Sequence, residues 1–193
     1  MRLLMSAVTC ATLAALLAGC AGPIQQGRSA LREGRYAEAA ARFEQSLAEE
    51  PGQLEGLIGL GIARYKLGAL DEAERALSSA VAQAPDVPVA RLYLGLIALR
   101  RGQDAAAADQ FEAFVRGAAW PRLAAHVDRT VRLLRAGPVS AEVRTYIAAS
   151  IDDQVEWARE VAEERRRVRE AELYWSPWGP WGWGWWGPPA VVV

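Results

Sequence analysis

The sequence predicts an all-α protein: a solenoid of three helical hairpins, then a capping helix and one long C-terminal helix. Three observations predict it. Five columns of residues recur with one period of 34, namely Gly27, Gly61 and Gly95; Gly34, Gly68 and Gly102; Ala39, Ala73 and Ala107; Phe43, Leu77 and Phe111; and the prolines Pro51 and Pro85. Between these marks apolar residues return at helical spacing, as in Tyr36, Ala39, Ala40, Phe43 and Leu47. Finally, residues 141–173 contain neither glycine nor proline, so a single helix of roughly 50 Å fits them at 1.5 Å per residue.

Each column has a physical reason. Gly61 and Ala73 are small enough to let the first helix of a hairpin approach the second, while Leu77 fills the space beyond. Gly68 stands where the first helix must stop in a left-handed turn, which glycine enters without steric cost. Pro85 ends the second helix because it lacks the donor and crowds the preceding turn. A period of this length with these columns resembles the tetratricopeptide repeat (TPR), whose hairpins bury a core only by stacking. Counted from Cys20, the repeats are 20–53, 54–87 and 88–121, and the solenoid with its capping helix occupies 20–136.

Ahead of the repeats, Met1 and Arg2 lead into an apolar run over residues 3–17, followed by Leu17, Ala18, Gly19 and Cys20. A short positive head, an apolar middle and small residues before the cut describe a secretory signal, here residues 1–19. The four-residue string resembles a bacterial lipobox, and the resemblance implies lipid attachment at Cys20. Ala21 stands where an aspartate would favour retention in the inner membrane, which by the same resemblance implies the periplasmic face of an outer membrane. At roughly 0.8 kcal/mol per buried methylene, two or three acyl chains would anchor the protein durably.

The repeats differ in quality. Repeat 1 is worn at its front, where Pro23 and Gln26 take columns usually apolar, and repeat 2 is the most regular. Repeat 3 opens with Asp86 as a capping residue and Pro88 in the first turn. After Trp120 and Pro121 a helix of about four turns carries Leu123, Val127, Val131 and Leu134 on one face, suited to close the end of the stack. Gly137 and Pro138 stop it, and Ser140 is placed to cap the long helix, residues 140–173. In that helix Val143, Ile147, Ile151, Val155 and Ala158 form a stripe that should dock on the solenoid. Beyond Val161 the charges Glu163 to Arg167 and Arg166 to Glu170 are spaced for an exposed helix surface.

The tail, residues 174–193, carries Trp175, Trp178, Trp181, Trp183, Trp185 and Trp186 among prolines and glycines and has no charged side chain. At ~150–250 Å² each, these rings offer about 1,000 Å² to bury. Ordering about a dozen such residues costs on the order of 12–24 kcal/mol, so the tail needs a surface on which to settle. Four surfaces fit: the protein's own groove, lipid headgroups, the sugar rings of peptidoglycan or another envelope glycan, and a partner protein.

For function, composition excludes more than it assigns. A net charge of −1 gives no nucleic-acid preference, and the two cysteines are Cys10 in the signal and Cys20. His126 is the sole histidine, Asp152 and Asp153 point apart on a helix, and no phosphate loop or nucleophile elbow occurs. No catalytic, cofactor or metal residue is therefore predicted, and the chain reads as a non-enzymatic adaptor. The TPR resemblance places a concave binding face on the first helix of each repeat: Arg28, Leu31 and Arg32; Ile58, Ile62, Tyr65 and Lys66; Leu92, Leu96, Leu99 and Arg100. One column is basic throughout (Arg32, Lys66, Arg100), and beside the apolar strip it would suit an acidic amphipathic helix or peptide. The alternative is that these three are solvated helix ends. The expected partner is an envelope protein, with the membrane reached through lipid on Cys20 and a glycan or membrane contact through the tail. A surface-binding protein acting through its tryptophans is the competing reading.

Overall fold

The computed structural model describes residues 22–175, with side chains described through residue 170. The signal, Cys20 and the tryptophans from Trp178 onward lie outside the described residues. Among the described residues there are eight α-helices and no strand: α1 Pro23–Arg32, α2 Tyr36–Glu49, α3 Leu54–Lys66, α4 Leu70–Gln83, α5 Pro88–Arg100, α6 Asp104–Gly117, α7 Pro121–Ala136 and α8 Ala141–Trp175. Helices α1 to α6 form three antiparallel hairpins in chain order, each packed on the next, and α7 closes the last. The fold is the all-α helical-hairpin solenoid expected from the repeat.

The periodic columns do what their chemistry requires. A Cβ on Gly61 would lie 2.5 Å from Leu77, one on Gly95 would lie 2.5 Å from Phe111, and one on Gly27 would lie 2.9 Å from Phe43. The glycine column and the large apolar column are thus the two halves of one close helix contact, repeated three times. Gly59 adds a second such approach, its missing Cβ replaced by the ring of Phe43 from the preceding repeat. Gly34, Gly68 and Gly102 have φ of 73°, 80° and 73°, and the chain reverses there from the first helix of each hairpin into the second. At each reversal a backbone N–H just past the glycine donates to a carbonyl in the helix's last turn: Arg35 to Ala30, Ala69 to Arg64 and Gln103 to Ala98.

Helix ends differ from expectation in two places. The N-cap of α5 is Val87, not Asp86, and no side chain caps it; Pro88 at the first position needs no donor partner there. Helix α8 includes Tyr174 and Trp175, since no breaker precedes Pro177. Ser140 does cap α8, its hydroxyl accepting from the Val143 N–H at 3.3 Å.

The core falls into two parts. A small cluster in repeat 1 joins Ala30, Ala39, Ala40 and Phe43 to Ala63. A large one runs from Leu57 through Leu77, Leu96 and Phe111 to Leu123 and Val127 of α7 and Ile147, Ile151 and Val155 of α8. No helix among the described residues is long and apolar enough to cross a membrane.

Candidate functional site

Helices α1, α3 and α5 carry the predicted groove face, and α8 packs on α5 and reaches α3 and α1 through side-chain contacts with Tyr65, Lys66 and Arg32. Of the expected stripe on α8, Ile147, Ile151 and Val155 are buried, as is Ala148, while Val143 is exposed and Ala158 half-buried. Helix α8 packs on both α5 and α7. Near its start the guanidinium of Arg144 grips Asp104, the first residue of α6, through two hydrogen bonds of 2.7 and 2.8 Å. That two-point geometry is the strong form of an arginine–carboxylate pair. Farther along, Ser150 Oγ lies 3.0 Å from His126 Nε2 and ties α8 to α7.

The predicted groove residues divide according to this helix. Leu92, Leu96, Leu99 and Tyr65 are fully buried, Ile62 is buried and Ile58 half-buried. The apolar strip therefore forms part of the core. Lys66 donates to Asp152 Oδ1 at 3.1 Å and lies 3.5 Å from Glu156, both on α8. Tyr65 Oη donates to the other Asp152 oxygen at 3.3 Å. Arg32 approaches Glu163 at 3.9 Å, and Arg28 pairs with Glu55 of the next repeat. Arg100 is exposed and stacks its guanidinium 4.6 Å over the Tyr65 ring. Tyr65 in turn meets the edge of Tyr93 at 5.3 Å.

The basic column thus faces an acidic one. Arg32 and Lys66 meet Glu163, Asp152 and Glu156, carried by an amphipathic helix of this same chain. Sequence reasoning specified the ligand and assigned α8 only to general docking. A signal was present: Asp152 and Glu156 are one helical turn apart and border the apolar positions Ile151 and Val155, so the carboxylates flank the stripe. The intrahelical pairs expected farther on are rearranged, with Glu163 turned to Arg32 and Arg167 paired with Glu164 at 3.7 Å.

Electrostatics under α8 follow from burial and these contacts. Burial raises the Tyr65 hydroxyl well above the ordinary phenol value, and the neighbouring Asp152 carboxylate adds to it. For Lys66 burial pulls the other way, but the carboxylates of Asp152 and Glu156 hold the ammonium above its usual value. The Tyr93 hydroxyl is fully buried with no hydrogen-bond partner among the described residues, so burial keeps it protonated. His126 is shifted below the ordinary imidazole value, first by burial and then by Arg129. Among the described residues no three His, Cys, Asp or Glu side chains gather into a group that could hold a metal ion.

This arrangement holds an amphipathic helix by apolar burial and a charged border. No curated protein matches the chain. Residues 30–96, which carry most of the first two repeats and the start of the third, match the family model of the tetratricopeptide repeat, a unit that generally mediates protein–protein interaction.

Proposed function

We propose that this protein is a lipid-anchored, non-enzymatic adaptor of the bacterial envelope, held at the periplasmic face of the outer membrane through Cys20 and serving the assembly of an envelope machine. The observation that supports the adaptor reading best is the concave face itself. Its apolar strip and basic column are built to take an acidic amphipathic helix, and α8 sits there with matching carboxylates. Arg28, Arg32, Ile58, Ile62, Tyr65, Lys66, Leu92, Leu96, Leu99 and Arg100 accordingly serve as a helix receptor whose resident occupant is the chain's own helix. The lipobox-like string ending at Cys20 supports the anchor, and Ala21 supports the outer membrane.

The test is made in intact cells. Cross-linking followed by mass spectrometry should recover one envelope protein with the chain, and Cys20→Ala should move the chain from the membrane fraction to the soluble one. Recovery of only random neighbours would reject the adaptor. A membrane-bound Cys20→Ala protein would reject the anchor.

A further inference from the structure

A second concave surface lies on the side of α8 away from the basic column, where the start of α7 and the turn before it face the middle of the long helix. It is a cleft of about 640 Å³. Its floor is apolar, with Leu123 buried and Ala158 and Val161 half-buried. Trp120 and Trp157 flank it, and Trp157 is 40% exposed, unusual for a tryptophan in a packed helix. Arginines form the rim: Arg122 from α7, and Arg165, Arg166 and Arg169 from α8. Arg122 lies 5.2 Å over the Trp157 ring. An adjoining hollow shares Arg122 and Trp157 and adds Arg129.

None of the residues lining either hollow is a carboxylate. Among the described residues these five arginines form no ion pair. Elsewhere most arginines meet a carboxylate, as Arg64 meets Glu44 and Glu72, Arg101 meets Asp71 and Glu74, Arg135 meets Asp109 and Glu112, and Arg144 meets Asp104. Arg42, Arg75, Arg91, Arg100 and Arg116 also form no ion pair among the described residues, so what sets the cleft apart is the gathering of five at two adjoining hollows. Helix α8 thus sorts its charges, with Asp152, Glu156 and Glu163 turned to the basic column and Arg165, Arg166 and Arg169 turned to the cleft. Unneutralised cations crowded around an apolar floor repel one another, and an anionic ligand relieves that repulsion.

We infer that the cleft between α7 and α8 binds an acidic amphipathic segment of a partner protein, its apolar side on Leu123, Ala158 and Val161 and its carboxylates on the arginine rim. The inference rests on the adaptor reading and assigns the surface left open while α8 fills the groove. Charge and shape choose the occupant. The chain's own residues 176–193 have no acidic side chain and would offer the arginines tryptophan rings but no carboxylate side chain to neutralise them. A bilayer is a plane, so its headgroups reach the rim and not the floor. The occupant has the same chemistry that α8 brings to the concave face, an apolar stripe bordered by carboxylates.

The full-length chain is titrated into a fluorescein-labelled synthetic helix of about four turns, with leucines on one face and glutamates on its borders, followed by fluorescence anisotropy. The controls are the same peptide with lysine for every glutamate, and vesicles of phosphatidylglycerol and phosphatidylcholine as competitor. The glutamate peptide is expected to bind and the lysine peptide not to. Arg165→Glu with Arg166→Glu should weaken binding by about tenfold or more, as loss and reversal of two charge contacts requires. Trp157→Ala should weaken it several-fold, and vesicles should not compete. Arg165 and Arg166 are exposed, so the double variant should keep its helix content by circular dichroism. Equal binding by wild type and the double variant overturns the site and leaves the adaptor reading standing. Competition by vesicles assigns the rim to lipid, and tighter peptide binding after deletion of 176–193 assigns the cleft to the tail; either result overturns the inference. Failure of in-cell cross-linking strikes the adaptor reading and says nothing of the peptide.

Discussion

In α1 only Gly27 and Ala30 are buried, whereas in α5, at the same place in the repeat, Ala90, Leu92, Tyr93, Gly95, Leu96, Ile97, Ala98 and Leu99 all are. The two helices share the glycine column and the turn, so the period does not cause the difference. Their surroundings do. Helix α5 packs on both helices of the preceding hairpin, on its own partner α6 and on α8, while α1 ends the described stack and meets α8 through one exposed ion pair, Arg32 with Glu163. In a stack of repeats the stability of each unit is its own plus that of its interfaces, so the interior is strong and the end weak. The position of α8 sharpens that gradient, because its buried residues end at Val155 and its remainder is largely exposed.

The largest expected effect tests the gradient by making the same change at both ends. Phe43 and Phe111 occupy one column, are both essentially fully buried, and each fills a glycine notch. Phe111→Ala should cost about 3–5 kcal/mol and lower the urea midpoint of the whole fold, because its cavity opens in the large core. Phe43→Ala should cost as much locally, but hydrogen exchange should speed up across α1 to α3 while α5 to α8 keep their protection. Identical exchange profiles for the two variants would show that the repeats unfold as one unit and would remove the comparison.

A smaller effect is expected where α8 meets the basic column. Asp152→Ala leaves Lys66, which is only 14% exposed, with Glu156 alone and takes the acceptor from Tyr65 Oη, and should cost about 1–3 kcal/mol by urea denaturation. Glu163→Ala removes a 3.9 Å contact between side chains that are 55% and 41% exposed and should cost about 0–1 kcal/mol. Equal costs would mean that α8 is held as firmly at the front as at the back.

Much of this was legible in the residues, and what was not has a physical cause. The hairpins, their turns and the partnership of Gly61 with Leu77 follow from size and backbone freedom, which are properties of single residues at fixed spacing. The stripe on α8 was legible for the same reason. Its destination was not, because docking between distant segments leaves no period. One sign pointed to it: α5, with the sequence PVARLYLGLIALR, is apolar nearly all round. A helix of that kind is covered on every side, so a strip of Leu92, Leu96 and Leu99 is better suited to burial than to an open groove. The cleft between α7 and α8 was hidden more deeply. Arg122 is more than forty residues from Arg165, and in an arginine-rich chain abundance alone says nothing about which guanidiniums lack a carboxylate.

His126 gives the finest test, because it acts only at the back of the molecule. Its ring lies between α7 and α8, within hydrogen-bond distance of Ser150, with Arg129 on its own helix and no carboxylate partner among the described residues. Burial first, and Arg129 second, hold its pKa below the ordinary imidazole value. The unfolded chain therefore takes up this proton before the folded one does, and stability falls as pH falls. The contribution is present in full above the ordinary value of 6.5 and is lost as pH drops through the lower folded value. Melting temperatures between about pH 7 and pH 5 should fall more steeply for the wild type than for His126→Gln, which carries no proton to exchange. Hydrogen exchange over the same range should show the loss first where α7 meets α8, leaving α1 and α2 unchanged. A slope that survives the substitution would assign the pH dependence to other groups and free His126 from any part in holding α8.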